Sequence, residues 1–422
     1  MLMVIQLILI SNYYYIFIDS HQMERLRAFL LMTFVKELKC MINKHKLYSM
    51  TFVSAAILLI LISITDAAPF AYITNNNNWA EHIGATVSVI DTAKNKVSAT
   101  VNVGESPYGV TVTSNGKKVY VTNMDSGDVS VIDTAKNKVI ATVPIGYNPT
   151  GIAVTQDGKK VYVVNEFNGN GTISVIDTAK NKVTATIAVG NSPKGIAVTP
   201  DGKKVYVANE LNNNVSVIDT ATNTVTATVP VGRLPEGIAV TPDGTKVYVA
   251  NELINTTGAV SVIDTVTNKV TSTVNVEYGP FGVAVTPDGK KVYVTSQGSK
   301  NVSVIDTATN TIAATVPVGD STYGVAITPD GTNVYVVNSG NNPVGWNSMG
   351  EGQYVPSKVS VINTTTNKVT AHITVGTLPV AFGQFIGGNI QNDKFSGSKS
   401  RVSLSKHKHR KHPKHHSIGK NH

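Results

Sequence analysis

Residues 193–232 read PKGIAVTPDGKKVYVANELNNNVSVIDTATNTVTATVPVG. Four short β-branched runs, Ile196 to Thr199, Lys204 to Ala208, Val215 to Ile218 and Thr224 to Val229, are separated by turn residues. That spacing belongs to short strands joined by tight turns and not to helices.

The unit recurs on both sides of this stretch. Copies of VSVIDT begin at Val87, Val129, Ile173, Val215, Val260, Val302 and Val359, with steps of 42, 44, 42, 45, 42 and 57 residues. A Tyr-Val-x-Asn segment keeps the same phase from Tyr72, Tyr120, Tyr162, Tyr206, Tyr248, Tyr293 and Tyr335. A period in this range with four strands per unit predicts an all-β chain, a seven-bladed β-propeller of four-stranded antiparallel blades. Helical repeats are excluded because Val, Thr, Asn and Gly dominate. A parallel β-helix is the structural rival, but its coils are shorter and lack three hairpin turns per unit.

Recurring residues have local reasons. Thr-Pro-Asp-Gly at 199–202, 241–244, 286–289 and 328–331 is a tight turn between the first and second strands, with Pro fixing φ and Gly accepting φ > 0. The Gly-Ile-Ala-Val strand is built from small residues, as an innermost strand near the axis requires. At the Asp219 to Asn223 corner, Asn223 is placed for the left-handed region.

The blocks YVTN, VSVIDT, TVTATVPVG and P-x-GIAVTPDGKKVYV resemble the YVTN-family β-propeller repeat of archaeal surface-layer proteins and related exported bacterial proteins, over roughly Phe70 to Gly388. Ser296 stands where the other copies have Asn, and Asn363 replaces the last Asp. The resemblance implies a cell-surface or secreted propeller.

Strand order predicts how the ring closes. The first unit begins at Ala71 with a second strand, and the strand Pro379 to Ile386 has nothing after it. The C-terminal strand is therefore expected to join the first blade beside Ala71 to Thr74.

Outside the repeats the composition changes. Residues 1–40 read as an N-terminal extension upstream of the true start, and 41–68 as a signal peptide or N-terminal anchor, with basic Lys44 to Lys46, the apolar run Thr51 to Ile64 and small residues around Thr65 to Ala67. The propeller occupies 69–388, and residues 389–422 form a basic His/Lys-rich tail read as disordered. The single cysteine, Cys40, precedes the signal, so a mature chain has no disulfide framework.

In a blade of antiparallel strands, second-to-third loops and inter-blade loops share one face. Tyr108, Tyr147, Lys194, Arg233, Glu236, Phe281 and Tyr323 fall there, with Glu166, Glu210 and Glu252 after three second strands. Trp346 and Tyr354 lie in the one long insertion, 338–357, on the same face. Aromatic and Arg side chains on a concave rim suit binding, although for any one of them taken singly an ordinary solvated loop residue is the readier explanation. Catalytic motifs are missing: no G-x-S-x-G, H-E-x-x-H or phosphate-binding Gly-rich loop occurs, and the repeats hold only His82 and His372. No catalytic residue and no cofactor is expected.

Within the tail, residues 394–422 carry nine Lys and Arg without an acidic residue, and six histidines including His407, His409 and His412, which permit transition-metal binding. Sequons at Asn170, Asn214, Asn255, Asn301 and Asn363 are glycosylation candidates for an exported chain. These features point to a non-enzymatic surface-layer-type propeller acting as a structural, adhesion or protein-interaction platform. Its expected partners are other envelope proteins or anionic cell-surface polymers. No nucleic acid is expected, and membrane contact is expected only through an uncleaved N-terminus or the tail. The alternatives are a secreted ligand-binding or sensor propeller, and a lactonase-like or lyase-like enzyme.

Overall fold

The repeats close their turns as the sequence dictates. In the Thr199 to Gly202 turn, Thr199 Oγ1 donates to Asp201 Oδ1 (2.6 Å) and Gly202 adopts φ +70°. At the corner, the Asp219 carboxylate accepts from the amides of Ala221 and Thr222, and Asn223 sits at φ +55°. Thr220 Oγ1 donates to the Gly202 carbonyl (2.6 Å), which ties corner to turn and puts both at one end of the blade.

The computed structural model describes residues 69–76, 85–166, 169–252, 257–319, 321–339 and 357–387, together with the backbone of a hairpin, Pro343–Trp346 and Gly352–Tyr354. The N-terminal extension, the signal segment, the basic tail with its histidines, His82 and Asn255 lie outside the described residues. The described strands form seven four-stranded antiparallel sheets. Blade 2 is Pro107–Val112, Lys118–Asn123, Asp128–Asp133 and Lys138–Pro144. Blades 3 to 7 repeat that order from inner strands Pro149–Val154, Pro193–Val198, Pro235–Val240, Pro280–Val285 and Thr322–Ile327. Blade 1 orders Lys96–Asn102, Thr86–Asp91 and Phe70–Asn75 against Ile386–Gly387 from the far end of the chain.

The core lies between blades. Tyr162, Val164, Ile173 and Val175 of blade 3 pack against Ile196, Val205, Val207 and Ile218 of blade 4, and the same layer recurs around the ring. Each sheet is thus covered on both faces, and its middle strands are apolar without strict alternation. Inside these layers the Asn of Tyr-Val-x-Asn bonds across to the Ser of Val-Ser-Val, as in Asn123 Nδ2 to Ser130 Oγ and Asn209 Nδ2 to Ser216 Oγ, both 2.9 Å. Those pairs satisfy the asparagine amide and serine hydroxyl groups that burial would otherwise penalise, while Asn123 Oδ1 is left without a partner.

Two further side chains staple successive blades at several junctions. Tyr206 and Tyr248 donate from their hydroxyls to Asn268 and Asn310 at the following blade's corner, at 3.3 and 3.0 Å. Lys204 and Lys246 donate to the carbonyls of Thr265 and Thr307, at 2.6 and 2.7 Å.

The C-terminal strand joins blade 1 as strand order predicts, but it is not a regular inner strand. Val380 N donates to Thr74 O (3.1 Å) and Ala71 pairs with Ile386. Between these points Ala381 (φ +46°) and Gly383 (φ +124°) turn the chain towards blade 2. There Phe382 N donates to Tyr108 O (3.2 Å), and Val110 N and Val112 N donate to the Phe382 and Gln384 carbonyls (3.0 and 3.2 Å). Gly324 N of blade 7 donates to Val380 O (3.0 Å), so one segment links three blades.

Candidate functional site at the mouth of the ring

The site begins with a backbone rule. The residue before each Pro-x-Gly or its equivalent has positive φ: Ser106, Asn148, Ser192, Leu234, Gly279, Ser321 and Leu378. Its carbonyl accepts from the residue following Tyr-Val-x-Asn, as in Glu210 N to Ser192 O (2.9 Å) and Glu252 N to Leu234 O (3.0 Å). The next residues then turn inward. A Cβ on Gly151, Gly195 or Gly237 would lie 2.2, 2.3 or 2.0 Å from the carbonyl oxygen of Lys194, Glu236 or Phe281, so only glycine permits the blades to approach.

The x positions consequently form a ring at one end of the axis: Tyr108, Thr150, Lys194, Glu236, Phe281, Tyr323 and Val380 in blade order from blade 2 round to blade 1. Thr74 Oγ1 donates to Tyr108 O (3.0 Å) and Thr295 Oγ1 to Tyr323 O (2.6 Å), which fixes the two tyrosine backbones. Blades 6, 7, 1 and 2 make an aromatic wall of Phe281, Tyr323, Val380, Phe382 and Tyr108. Phe281 meets Tyr323 at a centroid separation of 5.4 Å and Phe382 at 5.0 Å, while Phe382 reaches Tyr108 at 5.9 Å. Because Phe382 touches rings from blade 6 and blade 2, it stands across the axis as a plug.

Blades 3 to 5 make the opposite, charged wall. Lys194 Nζ lies 2.6 Å from Glu166 Oε1 and 3.5 Å from Glu210 Oε2, and Ser192 Oγ donates to Glu210 (2.9 Å). Burial pulls the Lys194 ammonium down, but the Glu166 hydrogen bond and the surrounding carboxylates outweigh it and raise its pKa. Glu236 is 8% exposed, and among the described residues no donor bonds its carboxyl. Burial pushes that carboxyl up to about 8, opposed by Lys194 and reinforced by Glu210, Glu252 and Glu166. Tyr108, across the ring, is raised by its own burial and then by the charges of Glu236 and Glu166.

Five of the residues read from the sequence as a binding face therefore converge: Tyr108, Lys194, Glu236, Phe281 and Tyr323. Tyr147 does not join them; it is 83% exposed beside a separate cleft of about 260 Å³ with Asn165, Glu166 and Asn170. Arg233 is exposed on the inter-blade loop. Trp346 and Tyr354 lie on the separate hairpin, where Trp346 pairs with Gly352 and Tyr354 with Pro343. Sequence reasoning missed Phe382, since the repeat phase assigns it to the Ile position of an inner strand; Gly383 in place of the usual Ala is the signal that could have exposed it. Among the sequons, Asn170 is exposed. Asn214 Oδ1 accepts from Asn209 (2.8 Å) and Asn363 Oδ1 caps its corner, so both have structural roles, and Asn301 is half-buried opposite Ser296.

Behind Phe382 runs a channel of about 380 Å³, lined by the Gly-Ile-Ala-Val strands and the first-to-second-strand turns. Its described lining contains no titratable side chain. Among the described residues no group of three or more His, Cys, Asp or Glu is placed to hold a metal ion.

Comparisons with known proteins agree with this architecture. Residues 176–315 match the model of the lactonase family of seven-bladed β-propellers, and residues 112–203 match that of YNCE-like β-propellers. The chain is a seven-bladed β-propeller repeat protein. Among solved structures it is similar to Kuenenia stuttgartiensis hydrazine synthase, at 25% identity and a TM-score of 0.58, over 71% of this chain and 96% of that one. It is also similar to a functionally unknown protein from Desulfotomaculum acetoxidans, at 18% identity and a TM-score of 0.61, over 75% of this chain and 98% of that one. No curated protein matches the sequence.

Proposed function

We propose that this chain is an exported, surface-layer-type propeller of the YVTN kind that acts as a non-enzymatic binding platform and engages its partner through the mouth. One observation carries this reading. Every structural position of the repeat is held nearly constant, with Pro in six of seven copies before x and Gly in six of seven after it, yet x itself is Tyr, Thr, Lys, Glu, Phe, Tyr or Val. Folding alone demands no such variety at one repeated site. The sequence supports export through its signal-like segment, and the channel lining, which offers no titratable side chain, is in keeping with a binding role. Other envelope proteins fit contact at the mouth, and anionic wall polymers fit attraction by the basic tail.

The test is retention of the full chain on isolated cell envelopes, compared with a Lys194→Ala, Tyr323→Ala double variant of matched melting temperature. Retention should fall about tenfold in the variant. Equal retention would show that the mouth is not the contact.

A second reading, a lactonase-like enzyme, is favoured by the family match and by the buried carboxyl of Glu236 beside Lys194. Turnover of a simple lactone that disappears in Glu236→Gln would put it first.

A further inference from the structure

We propose that the mouth is a receptor site for a single alkylammonium group, seated between the phenol rings of Tyr108 and Tyr323 and the carboxyl of Glu236. The inference rests on the binding reading above and names the chemistry of the ligand. Three observations converge on a cation. Glu236 is more than nine-tenths buried, among the described residues no donor bonds its carboxyl, and it shares the ring of x positions with Tyr108 on the far side of the axis. A buried carboxyl in that state is unfavourable until a donor reaches it.

The charge balance of the sector points the same way. Lys194 is engaged by Glu166 and Glu210, so one ammonium faces those two carboxylates plus Glu252 even while Glu236 is protonated. The resulting field attracts cations and repels anions. The opposite wall supplies the rings of Tyr108 and Tyr323 packed with Phe281 and Phe382, and aromatic rings hold a cation through their quadrupole. A divalent metal needs several converging oxygen ligands, and the described residues offer no such group. A protonated amine needs only one carboxylate, a hydroxyl or two, and apolar walls for its alkyl stem.

Binding of this kind is linked to a proton. The groups facing Glu236 are Lys194, Glu210, Glu252, Glu166 and Tyr108. In the free protein its carboxyl is largely protonated at neutral pH, and an arriving ammonium displaces that proton. Affinity therefore rises from pH 6 to pH 8, while an alkylamine of pKa about 10.4 stays charged.

Calorimetric titration of the full chain with n-butylamine and with the uncharged isostere n-butanol tests the proposal. The amine should bind at least about tenfold more tightly than the alcohol, and more tightly at pH 8 than at pH 6. Glu236→Gln should lower amine affinity about tenfold and flatten the pH dependence, and Tyr323→Leu should lower it without flattening. Nα-acetyl-lysine methylamide distinguishes the source: tighter binding than butylamine assigns a lysine side chain of a polypeptide, and equal binding assigns a free amine. Equal affinity for butylamine and butanol, or an unaffected Glu236→Gln variant, overturns the proposal. If amines fail to bind while envelope retention still depends on Lys194 and Tyr323, the cation assignment falls and the binding platform stands.

Discussion

Tyr335 in blade 7 donates its hydroxyl to Asn95 Oδ1 in blade 1 at 2.6 Å, across 240 residues of chain. It is the same bond that Tyr248 makes to Asn310 within the series, so the junction that closes the ring uses the staple that builds it. Tyr335→Phe and Asn95→Ala should each destabilise the protein by about 1 kcal/mol, with a coupling energy of comparable size in a double-mutant cycle. Denaturant melts of the four forms provide the measurement. Strictly additive effects would mean that the bond contributes nothing to closure.

The C-terminal segment should matter beyond its two-residue pairing with blade 1. Removal of 379–422 takes away Val380, Phe382 and Gln384, whose backbones bond to blades 7, 1 and 2. That truncation should lower the melting temperature strongly, whereas removal of 394–422 should leave it unchanged. Thermal melts of the two truncations check this directly, and identical midpoints would refute closure by this strand.

Ser296 is the copy that lost its asparagine. Its Oγ is buried without a partner, whereas Asn209 in the equivalent place reaches Ser216 at 2.9 Å. Ser296→Asn should restore the bond to Ser303 and raise stability by about 1 kcal/mol, measured as a shifted urea midpoint at unchanged slope.

Leu234 holds φ at +48°, a region where a β-carbon is penalised. Its side chain is only half-buried, so little packing is lost on replacement. Leu234→Asn should therefore stabilise the fold by about 0.5–1 kcal/mol by denaturant titration. A destabilised variant would show that the leucine packs more than it strains.

Glu236 sets a pH dependence of stability. Its folded pKa of about 8 lies above its unfolded value, so the folded state binds the extra proton. The associated stability is fully present below the unfolded carboxyl range and is lost as pH rises through about 8. Glu236→Gln removes that loss. Wild type and variant should differ progressively more in the variant's favour from pH 5 to pH 9, and a constant difference would contradict the raised pKa.

What the sequence determined by itself was everything that repeats. Seven copies of VSVIDT and Tyr-Val-x-Asn fix the number of blades, the four-strand order, the Thr-Pro-Asp-Gly turns and the left-handed Asn at each corner, since each follows from short-range backbone chemistry. The displaced last strand likewise announced the closure. The tertiary structure decided which loop residues meet. Lys194, Glu236, Phe281, Tyr323 and Tyr108 lie in different blades, and Tyr147 has equally suggestive chemistry in an inter-blade loop; the inward bend after each left-handed residue separates the first set from Tyr147. Phe382 was hidden for a related reason. Its direction depends on two positive-φ residues that bend the last strand towards blade 2, a departure from the repeat that hydrogen bonds between distant segments impose and local pattern does not record.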